Sequence, residues 1–235
     1  MRSIRSTTAL VLAFAVPAIA RAQRFEVRPL GHSAYLGGDV SYAVPQGEFA
    51  GYVDKAWGIN GHVIVPVTRG GIFALRLDLG VMQYGDENQR LAFPGTGRVG
   101  LNLNTSNDIF VGQVGPQIMV PDGTFRPYLA GGVGYTHFFT HSSINGVDDN
   151  ASVFNTTNYQ DGVFSTSAAA GIYVPLRAGR TPVSLDISAR YHWNGSVSYL
   201  RRGDIQDNSD GSITVFPHRS RADFLVWHFG VSVGL

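Results

Sequence analysis

Cysteine is absent from this sequence, and lysine occurs once, at Lys55. Without cysteine there is no disulfide framework, so stability has to come from backbone pairing and burial. Glutamate is nearly as scarce, at Glu26, Glu48 and Glu87 only. A soluble β-protein coats its wet face and its sheet edges with Lys and Glu, and this chain has almost none to spend. Beyond residue 22 no segment of helical length shows a 3.6-residue apolar stripe, and 29 of the 235 residues are glycine, which reads as strands and turns throughout.

The first 22 residues stand apart. "MRSIRSTTALVLAFAVPAIARA" has two early arginines, an apolar run from Ala9 to Ala20, and small residues at Ala20 and Ala22 around Arg21. That is the layout of a secretory signal peptide cleaved after Ala22. The apolar run is shorter than the roughly 20 residues a membrane-spanning helix needs. Removal of Arg2, Arg5 and Arg21 leaves 15 of the 18 basic residues against 17 acids, a formal charge of −2. A nucleic-acid partner, which needs a basic face, is not expected. The rest, 23–235, reads as one domain.

Eight strand-like segments can be marked, at about 33–44, 56–67, 71–84, 108–120, 125–139, 163–176, 183–198 and 222–235. Three connections are tight: "TRGG", "PDGT" and "RAGRTP". Four are longer and polar: "PQGEFAGYVDK", "DENQRLAFPGTGRVGLNLNTSN", "HSSINGVDDNASVFNTTNYQDG" and "RRGDIQDNSDGSITVFPHRSR". Long and short alternate strictly. In an up-and-down meander this puts every long loop at one end and every tight turn at the other, as in a transmembrane barrel with short inner turns and long external loops.

Side-chain phase gives the orientation. In the third strand Phe73, Leu75, Leu77, Leu79 and Val81 share one face and Ala74, Arg76, Asp78, Gly80 and Met82 the other. In the seventh, Val183, Leu185, Ile187, Ala189, Tyr191 and Trp193 oppose Ser184, Asp186, Ser188, Arg190, His192 and Asn194. The second and fourth strands set Asn60, His62, Gln113 and Gln117 against an apolar face in the same way. The polar face is mostly Gly, Ala and Ser with charges of both signs, a poor coat for water and a good filling for a narrow interior. The apolar face carries Tyr42, Trp57, Phe110, Tyr135, Phe139, Phe164, Trp193 and Trp227 near the long-loop ends, where an aromatic girdle meets the bilayer surface. The expected fold is therefore all-β: an eight-stranded antiparallel up-and-down transmembrane β-barrel, its oily side on lipid. Closure is required because an open sheet edge in hydrocarbon leaves unpaired N–H and C=O groups. The last strand must then pair with the first.

Asp39, Arg76, Asp78, Asp186 and Arg190 fall on the interior phase, with His62 and His228 as neighbours. Buried charges persist when paired, so this set is expected to form an internal network, serving either as structural filling or as a gate.

The segment "RPYLAGGVGYTHFF" (126–139) and the closing strand, with Trp227, Phe229, Val231, Val233 and Leu235 at alternate positions, resemble the small outer-membrane β-barrel proteins of the OmpA, OmpX and OmpW type. The resemblance covers essentially all of 23–235. It implies a multi-pass protein of the outer membrane of a diderm bacterium, embedded in the lipid bilayer. It also implies a C-terminal strand read by the barrel-assembly machinery. The chain departs from that pattern in ending on Leu235 where an aromatic is usual. A structural or envelope role follows, with long loops free to meet a surface ligand. Two other readings stay open: a narrow passive channel or carrier for small solutes, and a soluble secreted lipocalin-like binding barrel.

Motifs of other chemistry are incomplete. "YHWNGS" around His192 invites comparison with outer-membrane lipid A deacylases, but the position two after His192 is Asn194 and no Glu follows Glu87, so a nucleophile, base and orienting acid are not assembled. "GTGRVG" (95–100) lies in a polar loop without the strand-turn-helix unit a dinucleotide site needs. His137 and His141 on a strand are about 13 Å apart, too far for one metal. "DIQDNSDGS" fails the EF-hand spacing. No enzymatic activity, cofactor or metal is expected.

Overall fold

The computed structural model describes residues 33–68, 70–92, 100–146, 152–208 and 212–235. The leader with Ala20 and Ala22, and most of "GTGRVG", lie outside the described residues.

Among the described residues twelve strands follow one another: β1 Tyr35–Pro45, β2 Ala56–Pro66, β3 Phe73–Ala92, β4 Gly100–Met119, β5 Arg126–Gly146, β6 Ser152–Arg177, β7 Val183–Asn194, β8 Ser196–Tyr199, β9 Ile205–Asp207, β10 Ile213–Val215, β11 His218–Arg221 and β12 Phe224–Gly234. Eight of them close a barrel in the order β1, β12, β7, β6, β5, β4, β3, β2, all neighbours antiparallel. The seam is β1 on β12, in register from Tyr35↔Gly234 to Pro45↔Phe224. This is the eight-stranded closure expected from the alternation of residues.

The tight turns sit where the sequence places them. In "PDGT" Gly123 takes a φ of +105°, a region that only glycine enters without strain. Pairing between β4 and β5 lapses at Gly115 and Pro116, since proline has no N–H to give. An 11-residue strand such as β1, β2 or β12, rising 3.3 Å per residue and tilted 35–45°, spans about 26–30 Å, enough for the apolar band of an outer-membrane barrel.

The long-loop end differs from the sequence-based picture. Two of the four polar stretches continue as strand: β3 runs to Ala92 and pairs with β4 as far as Gly100, and β5 runs to Gly146 opposite β6 from Ser152. Four strands therefore rise about 20 Å above the rest of the rim. Polar residues such as Asp86, Glu87, Asn88, Asn104, Thr105 and Ser106 dominate the start of these extensions, so the period-two apolar signal weakens although the backbone pairing does not. The seventh segment, expected to run to 198, ends at Asn194; after Gly195 the chain forms β8, which pairs with β11 outside the barrel sheet. A second small hairpin, β9 with β10, completes this connection. The first long loop carries a 3-10 turn, Phe49–Gly51.

The oily phase faces out. Leu77 and Phe229 are exposed, as are Leu36, Ile59, Leu75, Val114, Leu129 and Val231, whereas Arg76, Asp78, Asp186 and Arg190 are buried. A soluble binding barrel requires the opposite arrangement. Among the described residues no helix is long and apolar enough to cross a membrane.

Candidate functional site

The interior of the cylinder is filled in three layers. The middle layer holds the charges. Arg76 on β3 donates from Nε to both oxygens of Asp78, at 2.8 and 3.0 Å, and from Nη1 to Tyr173 Oη at 2.9 Å and Gln117 Oε1 at 3.2 Å. Arg190 on β7 donates to Asp78 Oδ2 at 2.8 Å and Ser167 Oγ at 3.0 Å. Ser167 in turn donates to Gln113 Oε1 at 3.1 Å, and Gln113 to Ser165 Oγ at 2.5 Å. Two guanidiniums from opposite walls therefore share one carboxylate.

A second group forms around Asp39 on β1. His228 Nδ1 lies 2.6 Å from Asp39 Oδ1, Asn60 donates to Oδ2 at 3.0 Å, and His62 Nδ1 stands 3.5 Å from Oδ2. Asp186 joins the two groups. It accepts from Tyr128 Oη at 2.9 Å and lies 3.8 Å from both His62 Nε2 and Arg76 Nη1. The structure thus brings together all seven residues expected on the interior phase. It also places with them Gln113, Gln117, Ser167, Tyr128 and Tyr173. The two glutamines share the polar phase of β4 and were legible; the two tyrosines break the pattern of small interior residues and were not. Glycine makes the room: a Cβ at Gly37 would collide with the His62 imidazole, and one at Gly132 with Ser167 and Gln113.

The long-loop end is capped by an apolar cluster. Phe49 from the first loop packs edge-on against Tyr199 at 5.1 Å and Phe138 at 5.8 Å between ring centroids. Val197, Leu200, Ala222 and Phe224 are buried around it. Tyr84 fixes the cover by donating to the carbonyl of Leu200 at 2.7 Å. By sequence Phe49 falls in a polar external loop and Val197 at the end of the seventh strand, and the structure corrects this by burying both in the cap. The signal that could have found the cap is the alternation of Val197 and Tyr199 in "SVSYL" and the lone Phe49 in "GEFAG". At the turn end Tyr128 and Tyr173 stack at 4.6 Å over Ile64, Met119 and Ala169. Beneath them a recess of about 20 Å³ is bordered by Tyr35, Ile64, Met119 and Arg126, room for roughly one water.

Exposure shows that the filling is tight. Arg76 is 4% exposed, Arg190 3%, His62 2% and Gln117 0%, so the middle layer is almost wholly shielded from solvent. The polar groups are buried in an interior whose outer wall is apolar, the reverse of a soluble barrel. The chain has the fold of the small outer-membrane barrels.

No protein-family model matches the sequence, and no curated relative matches it. Solved structures with similar architecture include the outer membrane protein OprG of Pseudomonas aeruginosa, at 12% identity and a TM-score of 0.49, covering 88% of this chain and 99% of that one. Ail, the attachment invasion locus protein of Yersinia pestis, matches in its complex with the heparin analogue sucrose octasulfate at 10% identity and a TM-score of 0.47, covering 86% and 97%. Neisserial surface protein A matches at 11% identity and a TM-score of 0.41, covering 86% and 97%.

The remaining sequence candidates fall outside the lumen chemistry. Trp227, Phe229, Val231, Val233 and Leu235 lie on the outward phase of the closing strand. His137 and His141 share the outer face of β5 with Phe139 between them, the rings stacked at 5.9 and 6.1 Å, and His141 Nδ1 sits 3.2 Å from Asp108. Asp204, from the acid-rich loop, is taken up by Arg201 at 3.5 Å and His218 at 3.1 Å. His192 is buried beneath the cap against Phe224, ring to ring at 4.8 Å. Among the described residues no cluster of three or more His, Asp or Glu side chains is arranged to hold a metal ion.

Proposed function

We propose that this protein is an integral outer-membrane barrel with a closed lumen, acting in the architecture of the envelope and through the surface its long-loop end presents. The observation that carries this reading is the inaccessibility of Arg76, Arg190, His62 and Gln117 behind an outer wall of exposed Leu, Val, Phe and Trp. A water-filled pore leaves such side chains wet. Here the two arginines donate to Asp78, Gln117, Tyr173 and Ser167 inside the barrel, and the apolar cap and tyrosine floor close both ends. The charge network is filling that ties β1, β3 and β7 together across the cylinder. Export through a leader removed after Ala22, and reading of the closing strand by the assembly machinery, belong to the same proposal.

The test is reconstitution of the full mature protein into planar bilayers, with gel mobility of unboiled samples as the measure of folding. A folded, faster-migrating band without stable current steps is expected. Reproducible ohmic steps from that folded species would overturn the closed lumen and favour the narrow channel.

A further inference from the structure

The hairpin of β8 and β11 carries two arginines that the lumen does not use. Val197, Tyr199 and Ser220 are buried toward the cap. The opposite face presents the cross-strand pairs Arg219↔Ser198 and Arg221↔Ser196, with both arginines exposed. Because β8 continues the line of β7 past Gly195 and β11 leads into β12, this face stands directly above the barrel wall. Just below, on the same outer surface, are two residues of the aromatic girdle, Phe164 at 64% and Trp193 at 44% exposure.

Between the rings and Arg221 lies an open recess of about 390 Å³, lined by Phe164, Thr166, Trp193, Asn194, Gly195, Ser196 and Arg221, with Arg219 two residues further out on the same face of β11. Ser196, three residues beyond Trp193, and its cross-strand partner Arg221 stand roughly 7 Å higher for a tilted strand, which is the depth of the headgroup layer. Three acids lie nearby, and each holds a backbone N–H; Glu48 Oε2 accepts that of Arg221 at 3.0 Å. Asp223 accepts the backbone N–H of Asn194 at 2.7 Å and the Arg221 guanidinium at 3.3 Å. Asp161 accepts the backbone N–H groups of Gly162 and Ser198, each at 2.8 Å. Arg219 donates no side-chain hydrogen bond among the described residues. An aromatic floor at the edge of the hydrocarbon, with two planar cations one step above it, matches an amphiphile that has an anionic phosphate head. Guanidinium is the side chain best shaped to hold phosphate through paired donors.

We propose that this recess is a binding site for a phosphate-bearing lipid of the outer leaflet, its head on Arg219 and Arg221 and one acyl chain along Phe164 and Trp193. The proposal rests on the membrane-embedded reading above. It goes beyond that reading by assigning the lipid to one place and two side chains on the outer wall.

The test uses full-length mature protein in neutral detergent micelles with Trp57→Phe and Trp227→Phe, leaving Trp193 as the one tryptophan of the three. Titration with diphosphoryl lipid A is expected to change Trp193 emission saturably. Arg219→Gln/Arg221→Gln is expected to weaken the apparent affinity at least about tenfold and to flatten its salt dependence. Arg177→Gln/Arg180→Gln, at the turn end, is expected to leave it unchanged. An identical titration with dephosphorylated lipid A, or a double-glutamine variant that titrates like the parent, would overturn the site. If that double variant does not fold, Arg219→Gln alone removes an exposed side chain with no hydrogen bond to lose, and an unchanged titration by it overturns the site equally. Unboiled gel mobility separates the two readings. A folded protein with no phosphate-selective response refutes the site alone, whereas a protein that never inserts refutes the embedding as well.

Discussion

Replacing Arg76 by methionine keeps an unbranched apolar stem and removes the charge with every donor. Three buried groups lose a partner outright: Tyr173 Oη at 2.9 Å, Gln117 Oε1 at 3.2 Å and Asp186, whose carboxylate lies 3.8 Å from the guanidinium. Asp78 keeps Arg190 at 2.8 Å, and Asp186 keeps the Tyr128 hydroxyl at 2.9 Å. Breaking a buried ion pair costs about 3–5 kcal/mol because the remaining charge is stranded away from water. The surviving partners put Arg76→Met at the lower end, about 3 kcal/mol, or roughly a hundredfold in the folding equilibrium. The assay is a urea titration of refolding into phospholipid vesicles, read by the faster-migrating folded band. A second change, Asp186→Asn in the Arg76→Met background, removes the stranded carboxylate and is expected to return part of the loss, the sign of direct coupling. A loss below about 1 kcal/mol for Arg76→Met would mean that water solvates the middle layer, and would refute the dry lumen.

Two further outcomes follow from the outer wall and the rim. Leu77 lies near the middle of the spanning part of β3 with its side chain exposed, so Leu77→Arg is expected to cost about 2–4 kcal/mol in the same titration, and a loss under about 1 kcal/mol would refute the lipid-facing assignment. Burial alone would raise the Asp161 carboxyl, above the girdle, but backbone N–H groups of Ser198 and Gly162 more than reverse it and hold the group below its ordinary 3.8. The support it gives to β8 is therefore complete above pH 3.8 and is lost as the pH falls through the lowered folded value. The Ser198 amide resonance should titrate with a midpoint below 3.8, and a midpoint at or above it refutes the contact.

The wall of this barrel was legible because one physical alternation wrote it: Leu75, Leu77, Leu79 and Val81 meet lipid while Arg76 and Asp78 meet each other. The same alternation put His62, Asp186 and Arg190 on one interior. It falls silent where both faces of a strand meet polar surroundings, as along Asp86–Ser106 and Glu87–Thr105, and there hydrogen bonding alone extends the sheet. The cap was hidden for a different reason. Phe49 and Tyr199 are about 150 residues apart in sequence, each a lone apolar side chain in a polar stretch, and only closure of the cylinder makes them neighbours.

That closure has a kinetic consequence. Phe49 follows β1 while Tyr199 and Phe224 belong to the stretch from β8 into β12, on opposite sides of the β1–β12 seam. The aromatic cover therefore cannot assemble on a half-built sheet. Sealing of the seam and burial of the cover become a single late event, joining strands about 190 residues apart in the chain and meeting the greatest loop-closure entropy in the molecule.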